Sequence, residues 1–110
     1  MGKGKPDLLH GTLDLLILRS LDASRMHGWA ISKHIQAISE NVLEVNQGSL
    51  YPALYRLESR GWITADWEVT STGRRAKVYT LTREGRKQLV QEESQWDAFS
   101  LAVNRVLGTA

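Results

Sequence analysis

The 110-residue chain contains no cysteine, which excludes disulfides, thiolate metal sites and cysteine nucleophiles together. It has two prolines, one phenylalanine and no stretch approaching the roughly 18–20 apolar residues of a membrane helix. The start, Met1 to Pro6, is polar and basic, but the apolar run after it is broken by His10, Gly11, Thr12 and Asp14, unlike the core of a secretory signal. A soluble, cytoplasmic protein with no membrane partner is expected. Several catalytic patterns are also missing. Gly48-Ser49-Leu50-Tyr51 lacks the second glycine of a nucleophile elbow, and neither a glycine-rich phosphate loop nor a pair of catalytic carboxylates is present. His27 and His34 lie two helical turns apart with no further ligands near them, so they read as ordinary histidines and not as a metal site. No cofactor is implied.

A chain of this length supports one domain, since single cores occupy about 100–200 residues. Short chains bury a smaller share of their surface, so association with a second copy is plausible from the outset. The formal net charge is only +2, but it is unevenly placed. Between Gly73 and Lys87 lie Arg74, Arg75, Lys77, Arg83, Arg86 and Lys87 against the single acid Glu84, a local patch suited to a polyanion.

Hydrophobic spacing divides the chain into four helices and a hairpin. Asp7 caps a first helix from Leu8 to Leu21 that has almost no polar face and must be covered on more than one side. A second helix from His27 to Ser39 carries Ile31, Ile35 and Ile38 at helical spacing. After an extended passage, Val42 to Asn46, a third helix opens at Gln47-Gly48-Ser49 with Pro52 in its first turn, and ends before Gly61. Leu50, Ala53, Leu54 and Leu57 gather on its inner side, and Gly48, Ser49, Pro52, Tyr55, Arg56 and Ser59 on its outer side. Ile63 to Val69 alternates as a half-buried strand, with Ile63, Ala65, Trp67 and Val69 on the apolar face. The loop Thr70 to Arg75 leads to a second strand, Ala76 to Leu81, and the hairpin so formed has a basic tip. Thr82, with Gly85 three residues on, is an imperfect capping box at the start of a last helix of about 25 residues. There, Leu89, Trp96, Phe99, Val103, Val106 and Leu107 fall within an arc of roughly 80–100°. Nothing else in the chain is left to cover that stripe, which points to a symmetric dimer. Folding back onto its own domain is the alternative. Trp29 and Trp62, beside helix ends, read as core.

The expected fold is mainly α with a small β-hairpin: a winged helix-turn-helix over residues 7–82 and a C-terminal dimerisation helix over 83–108. In such a fold the third helix enters the major groove and the hairpin lies along the backbone as a wing. Ser49 and Tyr51, near the helix N-terminus, are placed for phosphate oxygens, with Tyr51 bordering the buried face. Tyr55 and Arg56 face base edges or phosphates, while Arg74, Arg75 and Lys77 supply the wing contacts. A winged-helix module that binds protein instead of DNA remains the second reading. The basic tip favours DNA.

The chain resembles the PadR-like transcriptional regulators. The resemblance is carried by Gly11-Thr12-Leu13-Asp14-Leu15-Leu16-Ile17-Leu18, Met26-His27-Gly28-Trp29-Ala30-Ile31, Gly48 to Glu58 with its Ser-Leu-Tyr-Pro-Ala-Leu-Tyr-Arg-Leu core, Gly61-Trp62-Ile63, and Arg74 to Thr82. It implies a homodimeric repressor whose third helix and wing contact double-stranded operator DNA, released by a small-molecule ligand. The single terminal helix is similar to the compact branch of the family. That branch implies a planar aromatic or drug-like effector at the dimer centre, with Trp96 at the matching place. Trp67 is a second ligand candidate.

Overall fold

The first helix occupies the middle of the molecule, with other elements packed on more than one side of it. The computed structural model describes residues 10–109, as α1 (His10–Ala23), β1 (Met26–His27), α2 (Gly28–Ile38), α3 (Gln47–Ser59), β2 (Ile63–Val69), β3 (Arg75–Leu81) and α4 (Arg83–Leu107). The expected cap Asp7 and the residues Leu8 and Leu9 lie outside the described residues. Elements α2, α3, α4 and β3 all pack on α1, whose Leu13, Ile17, Leu18 and Leu21 are buried. They join Ile31 and Ile35 of α2, all four inner residues of α3, and Ile63, Tyr79, Leu81 and Leu89 in one core. Each fully buried aliphatic side chain contributes about 1.5–3 kcal/mol before the entropy of ordering is subtracted. The stripe expected on α2 is shorter than its spacing suggested. Ile38 is 72% exposed, because α2 ends there and the chain turns away.

That turn closes without glycine. Asn41 donates its N–H to the Gln36 carbonyl and Glu40 to that of Ala37, the paired bonds of a Schellman cap, with Glu40 and Asn41 both at positive φ. The Ser39 hydroxyl accepts from the Leu43 N–H at 3.0 Å. Helix α3 then starts from Asn46, whose side chain accepts the Ser49 N–H at 2.9 Å. Because the cap is Asn46, Pro52 is the sixth residue of the helix and not in its first turn as expected. Its missing N–H leaves the exposed Gly48 carbonyl to solvent. At the far end Gly61, at φ +78°, takes the left-handed position, and the Trp62 N–H returns to the Leu57 carbonyl.

The expected hairpin is part of a three-stranded antiparallel sheet ordered β1-β3-β2. Met26 and His27, expected to lead into and open the second helix, pair instead with Tyr79 and Val78. This makes β3 a central strand and accounts for Val78 and Tyr79 both being buried although they point to opposite faces. Across the hairpin Ile63 pairs with Leu81 and Val69 with Arg75, so the second strand begins one residue earlier than its alternation indicated. The apolar face of β2 is buried only at its base, since Trp67 and Val69 are exposed beyond the edge of the core. Trp29, expected in the core, is 57% exposed. Trp62 is half-buried and packs against the core, with the Arg60 guanidinium 5.2 Å over its ring.

The β3-to-α4 corner explains the imperfect capping box. Thr82 accepts the Gly85 N–H at 3.0 Å, donates its hydroxyl to the Gly61 carbonyl at 2.7 Å, and gives its own N–H to the Trp62 carbonyl at 3.0 Å. A capping box would place Glu or Gln at position 85, but here the helix lies directly on the Trp62 backbone. A Cβ at position 85 would run into the Trp62 carbonyl and approach Leu81 Cδ1 to 2.7 Å. Because the obstacle is backbone, Gly85→Ala is expected to destabilise by about 1–3 kcal/mol. A urea unfolding midpoint unchanged from wild type would contradict this packing.

Candidate nucleic-acid interface

With Leu50, Ala53, Leu54 and Leu57 free of any solvent exposure, α3 cannot rotate, and its opposite side must face outward. Ser49, Tyr51 and Tyr55 lie on that exposed side, and Ser49 follows the helix start, where unpaired backbone N–H groups favour an anion. Tyr51 also has an inward edge. A Cβ added to Gly28 would stand 2.9 Å from Tyr51 Cε1, so the absence of a side chain at the start of α2 is what lets this ring lie there.

Arg56 is placed differently from its expected outer position. Its Nη2 donates to Asp14 Oδ1 at 2.7 Å, with the Asp14 side chain 8% exposed and that of Arg56 30%. The guanidinium therefore bridges α3 to the central helix, and Asp14, which in the sequence only interrupts an apolar run, is the carboxylate that holds it. A single acid on an otherwise apolar helix face is the signal by which the pair could have been anticipated.

Tyr51 and Tyr55 reach toward the hairpin and, with Glu58, Trp67, Ala76, Lys77 and Tyr79, line a groove of about 450 Å³ between α3 and the wing. Trp67 stands directly opposite Lys77 in the strand register. Arg75 Cζ lies 4.9 Å and Lys77 Nζ 5.7 Å from the centre of its ring, so the indole holds both cations on one side of the wing. Lys77 also reaches Glu58 Oε1 at 3.9 Å, and Arg25 pairs with Glu68 at the outer edge of β2. Arg74 is exposed in the loop, where the Thr70 N–H donates to its carbonyl at 2.7 Å. Burial pushes the Tyr79 phenol upward, and the Glu58 carboxylate and Tyr51 add to the shift. That hydroxyl stays protonated at neutral pH and available as a donor.

A second cleft, of about 300 Å³, opens between α1 and α4 on Gly11, Thr12, Leu15, Glu92, Gln95, Trp96 and Phe99. The Trp96 and Phe99 rings stand 5.9 Å apart at 40°. The two tryptophans named from sequence as ligand contacts are therefore in different places, Trp67 on the wing and Trp96 in this cleft. Leu89, named for the dimer stripe, is only 2% exposed and belongs to the chain's own core. Trp96, Phe99, Val103, Val106 and Leu107 are all exposed, as is Leu101 between them.

Three helices, an antiparallel hairpin and a basic, aromatic groove beside an outward-facing third helix define a winged-helix DNA-binding protein. The sequence model of the transcriptional regulator PadR-like family matches residues 17–91. This chain belongs to that family, and it is a DNA-binding transcriptional regulator rather than an enzyme. A transcriptional regulator of Mycobacterium tuberculosis is 33% identical over 78 residues, covering 71% of this chain and 69% of its own length. Among solved structures, a transcriptional regulator from Clostridium thermocellum superposes with a TM-score of 0.82 at 29% identity, over 91% of this chain and 97% of its own. A PadR family regulator from Clostridium difficile does so with a TM-score of 0.73 at 31% identity, over 86% and 97%.

The Asp14–Arg56 bridge gives a quantitative expectation. A double-mutant cycle with Asp14→Ala and Arg56→Ala should return a coupling energy of about 1.5–3 kcal/mol in unfolding, the range for a hydrogen bond to a charged group. Additive single-variant effects would show that the guanidinium does not anchor α3.

Proposed function

We propose that the protein is a homodimeric repressor that docks α3 in the major groove of double-stranded operator DNA, lays its wing on the adjoining backbone, and is released by a small-molecule effector. The observation that carries the first part is the joint position of the outward face of α3 and the cations of the wing. Ser49, Tyr51 and Tyr55 form the helix side of the contact, with Ser49 and Tyr51 on phosphate. Arg74, Arg75 and Lys77 form the wing side. Arg56 acts mainly by holding α3 in place through Asp14, and the part of its guanidinium left exposed faces the DNA. The DNA-reading part spans residues 7–82 and the dimerising part 83–108.

Dimerisation is supported by the uncovered stripe on α4. Helix α4 is 25 residues long and, apart from Gly85 and Leu89, buries no side chain fully, yet it presents Trp96, Phe99, Val103, Val106 and Leu107 along one side. An apolar ridge of that length calls for a partner, and a second copy presents an identical ridge. Beside it, the cleft holding Trp96 is the effector site, open to a planar aromatic or drug-like molecule. Among the described residues no helix is long and apolar enough to cross a membrane, in keeping with a regulator acting in the cytoplasm.

Purified protein should retard duplex DNA from its own promoter region, with affinity falling steeply as salt rises. Reversing charge in Arg74→Glu/Arg75→Glu should abolish retardation while sedimentation still reports a dimer. Milder neutralisation of the same two residues should lower the slope of log affinity against log salt by about 2 per subunit if both neutralise phosphates. Full affinity in the charge-reversed protein would remove the wing assignment. In a separate experiment, Phe99→Asp/Val106→Asp should convert the dimer to a monomer at micromolar concentration. A wild-type chain that sediments as a monomer would end the dimer proposal.

A further inference from the structure

We infer that Trp67 is a positioning residue for DNA binding, whose indole, without touching the duplex itself, sets where Arg75 and Lys77 of the wing meet the backbone phosphates. This rests on the reading of the wing as a DNA contact and adds the residue that gives the contact its geometry.

An indole that is 57% exposed on a strand is not held there by burial. The hairpin has no core at this level, since Ala65 packs against the core while Trp67 and Val69 lie beyond it. In the antiparallel register Trp67 stands opposite Lys77 and Val69 opposite Arg75, so Arg75 is the diagonal neighbour of Trp67 on the same face. Tyr79 shares that face further along β3 and enters the core, which makes this the side of the hairpin turned toward α3. The direct and diagonal positions are the ones an aromatic ring can reach across a strand pair. Both are filled by cations, with Arg75 Cζ 4.9 Å and Lys77 Nζ 5.7 Å from the ring centre, inside the range in which a ring attracts positive charge. Arg74, by contrast, is exposed in the loop and has no ring contact among the described residues.

Lysine and arginine have the most rotamer freedom to lose, and freedom lost at the moment of binding subtracts from affinity. Against the ring, part of that loss is already taken in the free protein. Lys77 is held from its other side as well, where its Nζ lies 3.9 Å from Glu58 Oε1 of α3. With side chains 40% and 38% exposed, that ion pair has little strength of its own. Together with the ring, however, it places the ammonium between the wing and α3, in the groove that the two elements line. The indole therefore orders the cations of the wing relative to the helix that enters the major groove, and it does so without adding or removing charge.

The test measures binding of the full-length protein to duplex DNA from its own promoter region, by fluorescence anisotropy over a series of salt concentrations. Trp67→Thr, which keeps a strand-favouring residue, should weaken binding about fivefold to thirtyfold, the loss of two exposed cation–ring contacts. The slope of log affinity against log salt should stay as in wild type, because no charge has been removed. Trp67→Phe should recover most of the affinity, since it keeps a ring face beside both cations. In an Arg75→Gln/Lys77→Gln background, Trp67→Thr should cost nothing further. A loss of the same factor in that background would overturn the inference, by showing that the indole contacts the duplex directly. Unchanged affinity in Trp67→Thr, with affinity lost in Arg75→Gln/Lys77→Gln, would overturn the inference and leave the wing contact standing. Full affinity in Arg75→Gln/Lys77→Gln would overturn the inference and count against the wing reading as well. A measurement on the free native protein decides the matter should Trp67→Thr disrupt the hairpin. The side-chain proton resonances of Lys77 should be displaced upfield by the ring current of Trp67, and their absence from that region would overturn the inference whatever the variants do.

Discussion

The burial of the inner face of α3 is the constraint on which the rest of the molecule depends. Four consecutive contacts of that helix have no solvent exposure, so its axial rotation is set by the core and its outer side is presented without freedom to turn. A helix that reads a groove must arrive with its side chains already aimed, because each rotamer or rotation ordered on binding subtracts from affinity. The Asp14–Arg56 bond adds to that packing a directional, charge-assisted tie between α3 and the central helix.

The wing depends on the same core through its base only. Ile63, Tyr79 and Leu81 are buried, while beyond them the hairpin leaves the body and its side chains must be organised by one another. Trp67 does this. An indole exposed on a strand is unfavourable on burial grounds, but beneath Arg75 and Lys77 it holds two long cationic side chains that would otherwise sample many rotamers. The wing is thus given a positive face without being given a core of its own.

Helix α4 is joined to these parts along its N-terminal half. Its first turn is locked to the α3–β2 corner through Thr82 and Gly85, its next turns bury Leu89, and its remaining turns lie outside the core. Arg86 bonds Asp22 at 3.2 Å and Arg19 approaches Glu93 at 3.4 Å, tying α4 to α1 along the edge of the cleft. Asp14 faces Arg56 of α3 by a direct bond and acts on Glu92 of α4 through its charge. Helix α3 and the cleft are therefore supported by neighbouring turns of one central helix.

Much of this was legible in the residues alone. Apolar spacing at 3.6 and 2 identifies each helix and both hairpin strands, and the inner face of α3 is as the helical wheel places it, because those patterns record burial directly. Glycine at position 61 announces the end of α3 for a reason intrinsic to its backbone. Other features had no such local signal. A two-residue strand has too few positions to alternate, and β1 exists only because β3 passes beside it. Whether Arg56 faces groove or core depends on Asp14, 42 residues away, and Leu89 looks like the rest of its stripe until it is seen to join the core. Trp67 and Trp96 are both exposed aromatics, and only the placement of the wing and of α4 assigns one to the cations of a hairpin and the other to a cleft beside a buried carboxylate. Sequence by itself determined the four helices, the hairpin and the inward side of α3, since these follow from local periodicity. Tertiary structure decided which polar groups meet, since that depends on which turns of distant elements are brought together.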